Sequence, residues 1–322
     1  MTNNIKASSV QFEHKDGDKE ANFKKIERFT EEASAQGVEI IVFPEGSITG
    51  YWFWRNLTEQ QLLDLSEPAF DGTSSQRLMR LSREHNITIG AGLIERDENG
   101  KMYNTYIVAM PNGKFVKHRK IHAFESDYIL EGDSITVFET PQGVRACVLI
   151  CYDNNIFENV RLAALEGAEL IIAPHQTGGC RSADPNIMGI IDMELWNDRK
   201  SNPKAIEEEF YGEKGRGWLL RWLPSRAHDN GVFYIFSNGV GKDDDEVRTG
   251  NAMIIDPYGR ILAETWAADD AMVTADLDMH LIPESTGQRW IRTRKPALYG
   301  PLVVPTGREV NTRKIRFDEK GC

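Results

Sequence analysis

A single mixed α/β domain is the fold class this sequence predicts, and three features predict it. Short apolar runs rich in Val and Ile alternate with charged stretches of helical length, and Gly, Asn or Pro punctuates most of the junctions. No linker, low-complexity tract or internal repeat divides the 322 residues. Such alternation is what strands buried beneath helices look like in sequence.

The elements follow in order. Residues 5–12 read as a first strand, and the charged stretch from about Lys19 to Gln36 reads as a helix that Gly37 closes. Val38 to Phe43 is an unbroken β-branched run, typical of a strand covered on both faces, and Pro44 and Glu45 end it. A helix around Ser74–Asn86 leads into a strand over Ile87–Ile94. The turn signals Asp97-Glu98-Asn99-Gly100 and Pro111-Asn112-Gly113 then predict consecutive antiparallel strands.

The second half repeats the alternation. Val144 to Ile150 predicts a strand ending at Cys151, with Asp153 or Asn154 placed to cap the helix beyond it. Phe157, Val160, Leu162, Ala163 and Leu165 supply that helix with an apolar face, and Gly167 ends it. Leu170 to Pro174 is the next strand, a helix over Leu219–Asn230 runs into a strand over Val232–Asn238, and Ala252–Arg260 turns back into Ile261–Glu264. Residues 181–217 are polar and sit between two clear elements, as a surface insertion or a lid near a substrate entrance would.

Charge and composition narrow the function. Lys and Arg total 38 against 49 for Asp and Glu, a net charge of -11 that repels phosphate backbones and anionic lipid. Nucleic acid and membrane are therefore not expected as partners. No apolar run approaches the roughly 18 residues that span a bilayer, and the start lacks a basic and then apolar leader, so a cytoplasmic protein is expected. Four cysteines are too few for a disulfide framework and suit a reducing compartment. There is no Cys-x-x-Cys pair, no His-x-x-x-His on a predicted helix and no phosphate-cradling glycine motif, so no metal or nucleotide cofactor is expected.

Three positions could carry chemistry. Cys147 falls mid-strand as core, Cys180 lies in a Gly-rich loop and Cys322 is terminal, but Cys151 stands at the carboxyl end of a buried strand. There a sulfur can face a crevice as a nucleophile, or simply fill the core. Glu45 ends a strand in the same manner; a partly desolvated carboxylate suits proton transfer, whereas a solvated one is an ordinary loop acid. Lys120 ends the extended run from Lys114 and could donate to a developing oxyanion, or be a surface charge.

Together these segments resemble a known family. Phe43-Pro44-Glu45, Arg119-Lys120-Ile121-His122 and Leu149-Ile150-Cys151-Tyr152-Asp153 are similar, in order and context, to the three signature segments of the nitrilase (carbon–nitrogen hydrolase) superfamily. Arg294 to Gly300 adds a further match near the end. The resemblance implies a four-layer α-β-β-α sandwich and a Glu-Lys-Cys triad. Glu45 would be the general base, Lys120 the oxyanion stabiliser and Cys151 the nucleophile, with the main-chain N–H of Tyr152 as second oxyanion donor. The family's further glutamate maps to Glu125, with Glu131 as rival. His122 would hydrogen-bond Glu125 or a neighbouring loop, or serve structure alone.

The branch follows from what surrounds the cysteine. Cys151-Tyr152-Asp153 resembles the amidase-like members, whereas nitrilases typically show Cys-Trp-Glu. Carbamoylases carry arginines just after the cysteine to hold a carboxylate; here Asn154-Asn155 stand instead, and Arg181, in the loop after His175, is placed to substitute. Trp52 and Trp54, with Tyr51 and Phe53, could wall an aromatic pocket or be plain core. The expectation is a cofactor-free hydrolase of a small amide or carbamoyl compound, working through a thioester and forming at least a homodimer. The rivals are a true nitrilase, a non-catalytic binding member, and the ammonia-producing half of a synthetase.

Overall fold

The structure is a computed structural model that describes residues 4–180 and 186–318. At its centre two β-sheets lie face to face. The first runs in the order Ala271–Asp278, Asn4–Gln11, Ile40–Val42, Thr88–Arg96, Met102–Ala109, Phe115–Arg119, with Ile129–Leu130 beside Met102–Ala109. The second runs Ile261–Glu264, Met253–Ile255, Phe233–Asn238, Leu170–His175, Arg145–Val148, Val137–Glu139.

Strand alternation explains the stacking. Ile40 and Val42 face the second sheet, and Leu170, Ile172, Phe233 and Ile235 meet them from it. The intervening Ile41 packs outward against Phe23, Ile26 and Leu78 of helices Lys19–Ala35 and Thr73–His85. On the far side Ile171, Tyr234 and Phe236 pack outward against Val160, Ala163 and Ala227 of helices Phe157–Leu165 and Leu223–Asn230. Strands apolar on both faces therefore stack as helix, sheet, sheet, helix, the four-layer sandwich that the family resemblance implied. Cys147 is core, as expected.

Several local expectations are corrected. Neither Asp153 nor Asn154 caps helix Phe157–Leu165, because Cys151–Asn154 forms its own 3-10 turn before that helix starts. The helix expected over 219–230 is two, Arg216–Leu220 and Leu223–Asn230; Pro224, in the first turn of the second, has no N–H to continue the first. The described part of 181–217 is not featureless. It forms helices Met193–Asn197 and Pro203–Tyr211, which close a small core of Trp196, Ile206 and Phe210 against Val240 and Val247. The hairpin Val240–Asp243/Glu246–Thr249, the edge strand Ala271–Asp278 and the C-terminal helix Thr312–Asp318 had no clear sequence signal. Among the described residues no helix is long and apolar enough to cross a membrane.

Candidate active site

Three strand ends converge. The N–H of Phe43 still pairs with Gly90, and Pro44 then stops the ladder, so Glu45 leaves the sheet at once. Gly92 makes room for this exit: a Cβ there would lie 2.4 Å from the nitrogen of Gly46. Lys120 continues the strand Phe115–Arg119 by one residue, its N–H on Asn104 O. Cys151 follows the strand Arg145–Val148, whose pairing Leu149 extends, and holds a left-handed φ of 48°. A non-glycine residue in that region is strained, and such strain gathers at functional sites. Glu45 and Lys120 thus come from one sheet and Cys151 from the other.

Glu45, Lys120 and Glu125 are fully buried and joined. Lys120 Nζ donates to Glu45 Oε1 at 2.7 Å and, through a very short contact, to Glu125 Oε1. Asn104 Nδ2 donates to the same two oxygens, at 2.7 and 2.9 Å. Glu125 also accepts from Tyr51 Oη and from the N–H of Phe124, both at 3.1 Å. Glu45 Oε2 is buried and has no hydrogen-bond partner. Glu131, the rival to Glu125, is exposed.

The electrostatics separate these groups. Burial, only partly offset by Lys120 and reinforced by the charge of Glu125, lifts the Glu45 carboxyl to about 7. Burial would raise Glu125 too, but the charge and N–H of Lys120 outweigh it and hold Glu125 below the usual range. Lys120 is buried as well, yet two carboxylates keep it a cation. Burial and the charge of Glu45 push the Cys151 thiol up to about 12, against the pull of Lys120. At neutral pH the arrangement therefore holds a protonated thiol beside a carboxylate that can take its proton.

Asp153 ties the two sheets' loops together. Its oxygens accept from the N–H groups of Ile121, His122 and Ile150 at 3.2, 2.8 and 3.1 Å. His122 Nδ1 lies 3.0 Å away and His118 Nε2 3.6 Å away. The partner of His122 is thus Asp153 and not Glu125. These contacts overcome burial and keep Asp153 well below the carboxylate range. Gln176 Nε2 holds the Glu45 carbonyl at 2.7 Å.

Cys151 opens onto a cavity of about 430 Å³, a size suited to a small organic ligand. Trp52, Tyr152 and His175 lie on its wall, and Ile187 and Met188 bring the 181–217 stretch there too. His175 accepts from Asn154 Nδ2 at 3.0 Å, and burial together with Lys120 lowers it to about 3, so it is neutral. Trp54 lies apart from this wall, fully buried edge-on to Tyr51. Arg181 lies outside the described residues. Cys180 reaches the wall half-buried and disulfide-bonded.

Sequence reasoning passed over Asn104, Asp153 as a clamp, and Arg248 on the cavity wall. Asn104 left one trace, an amide among the apolar residues of strand Met102–Ala109.

Comparisons agree with this architecture. The chain is similar to a 2-oxoglutaramate amidase from Bacillus subtilis, 29% identical over 84% of this chain and 90% of that protein. It is also similar to a nitrilase from Pyrococcus abyssi, 26% identical over 86% of this chain and 91% of that one. Among solved structures it resembles Saccharomyces cerevisiae Nit3, a member of branch 10 of the nitrilase superfamily, at a TM-score of 0.69 and 26% identity, covering 91% of this chain and 96% of that one. The family model for carbon-nitrogen hydrolases matches residues 6–285, and by that match the chain belongs to the carbon–nitrogen hydrolase family.

Proposed function

We propose that this protein is a cysteine-dependent amidase that cleaves the C–N bond of a small amide through a thioester. One observation carries the reading: Glu45 Oε2, a buried acceptor without a partner, belongs to the group whose charge most raises the Cys151 thiol. Glu45 takes the thiol proton as the sulfur bonds to the amide carbon. The carbonyl oxygen gains the negative charge, and Lys120 and the N–H of Tyr152 stabilise it, each good donor contributing about 3–4 kcal/mol. The C–N bond then breaks as Glu45 returns the proton to the nitrogen, releasing ammonia or an amine. Water, deprotonated by Glu45, attacks the thioester, and the departing sulfur recovers its proton. Glu125 keeps Lys120 charged and aimed.

The Cys-Tyr-Asp sequence at Cys151 and the amidase relative favour amides over nitriles. Ammonia release from a panel of amides, N-carbamoyl amino acids and nitriles, with Cys151→Ala alongside, tests this. Cys151-dependent release from amides is expected; release from nitriles alone makes the protein a nitrilase, and none from any leaves a binding role. Exposed Phe157, Leu162 and Leu165 along one helix support self-association, for which light scattering should give at least a dimer's mass.

A further inference from the structure

Part of the wall around Cys151 comes from outside the family match, which ends at residue 285. Thr312, Ile315 and Arg316, from the C-terminal helix Thr312–Asp318, line the cavity beside Trp52 and Phe124. The other described residues of that wall fall between Tyr51 and Arg248.

The tail reaches the cavity by an exposed path. Residues 300–311 are all exposed, and within them Glu309 accepts from its own neighbours Thr306 and Gly307. The helix then bridges two sides of the cavity. On one side Arg313 Nη1 donates to Phe124 O at 2.7 Å, and its Nε pairs with Asp127 Oδ1 at 2.5 Å. Phe124 is also the residue whose N–H bonds Glu125. On the other side Arg316 Nη2 lies 3.5 Å from Glu246 Oε1, on the hairpin Val240–Asp243/Glu246–Thr249. Between the two, the ring of Phe317 stacks on Trp52, with centroids 6.0 Å apart and planes 14° from parallel.

These ties lie near the surface. The side chain of Asp127 is 75% exposed and Phe317 is 44% exposed, and exposed ion pairs hold weakly. Seven helical residues at the end of an exposed tether, docked by such contacts, have the low local stability of a terminus. Ile315 lines the cavity yet remains 37% exposed, so apolar area is left there for a ligand to cover.

We propose that the helix Thr312–Asp318 is a displaceable outer wall of the substrate site, and that Ile315 limits the length of acyl chain accepted. A short chain fits with the tail docked and ends against Ile315. A longer one enters only when the helix swings out. This deepens the amidase reading and rests on it for the identity of the acyl group.

The first test needs no turnover. Protein reduced and then desalted is treated with iodoacetamide or the bulkier iodoacetanilide. Peptide mass spectrometry follows alkylation of Cys151 alone, and each rate is divided by the reagent's rate with glutathione. In the wild type the small reagent should lead by at least about tenfold, within the range that a pocket wall extracts from size. In the Arg313→Ala, Phe317→Ala double variant the lead should shrink to within about threefold, and in Ile315→Trp it should widen. The altered side chains belong to a terminal helix at the surface, so each variant should fold. Equal entry of both reagents into the wild type overturns the proposal, as does a lead that neither variant moves.

Hydrolysis of butyramide and hexanamide is the second readout. The kcat/KM of hexanamide relative to butyramide should rise at least about fivefold in the double variant and fall in Ile315→Trp. Alkylation that follows the predicted order, with no amide hydrolysed by the wild type, keeps the tail wall and sinks the amidase reading. Amides hydrolysed with a length preference that neither variant moves do the reverse.

Discussion

Glu45 and Glu125 accept from the same two donors, Lys120 and Asn104, yet of the pair it is Glu45 that keeps a buried oxygen with no partner. The second oxygen of Glu125 is taken by a main-chain N–H. One carboxylate is thus saturated and the other left with room for a proton. Glu45→Gln should therefore lower kcat by about 10²–10⁴-fold, the usual worth of a general base. Glu125→Gln should cost less and move the pH–rate midpoint downward, since the charge of Glu125 helps to raise Glu45. Steady-state rates across pH for both variants check this.

In the wild type, kcat/KM should rise with pH through about 7, where Glu45 becomes a carboxylate, and then level off. With the thiol near 12, no second ionisation of the pair intervenes below pH 10. Asn104→Leu removes a donor that favours the charged form of Glu45, so its midpoint should move up, by about one unit. A profile centred near the ordinary carboxylate value would contradict the assignment of Glu45 as base.

Stability carries a separate pH signature from His14. Burial disfavours its charged form, but Asp243 and Asp16 prevail and raise it to about 9. Its proton thus stabilises the fold fully below the unfolded value near 6.5, and that contribution disappears as pH rises through 9. Denaturant titrations should show a loss on the order of 3 kcal/mol across this window from this group. His14→Gln should flatten the dependence.

Asp153 receives three main-chain N–H groups from two loops. Asp153→Ala leaves all three without that partner, Ile150 buried and Ile121 and His122 half-buried, at about 1–3 kcal/mol for each one left unsatisfied. Urea unfolding should show a drop of at least about 3 kcal/mol on that scale, with kcat falling as Lys120 and Cys151 lose their common tie. A variant as stable as wild type would remove Asp153 from this role.

Strands with apolar residues on both faces were legible, because buried β-branched runs such as Val38–Phe43 have few other uses. Glu45, Lys120 and Cys151, which the structure gathers at strand ends, were open positions on that pattern alone, and the resemblance of their segments to the nitrilase superfamily is what singled them out. Asn104 was not legible, because its task depends on pairing across strands that are remote in sequence. Arg248 was hidden in the same way. Its carboxylate neighbours within the hairpin look like surface charge until Trp52 and His14 are folded onto them. The edge strand Ala271–Asp278 is only half-buried, so its sequence lacks the unbroken apolar signature of its neighbours.

That edge strand pairs along its whole length with Asn4–Gln11, so the chain's opening segment waits for one near its end. During synthesis Glu45, Lys120 and Cys151 all leave the ribosome well before it. Until the late strand arrives, Asn4–Gln11 is an open edge able to recruit foreign strands. Closure between partners so distant in sequence is slow. Nascent chains that stall before residue 271 should therefore be inert and aggregation-prone, because the first strand keeps one edge unpaired.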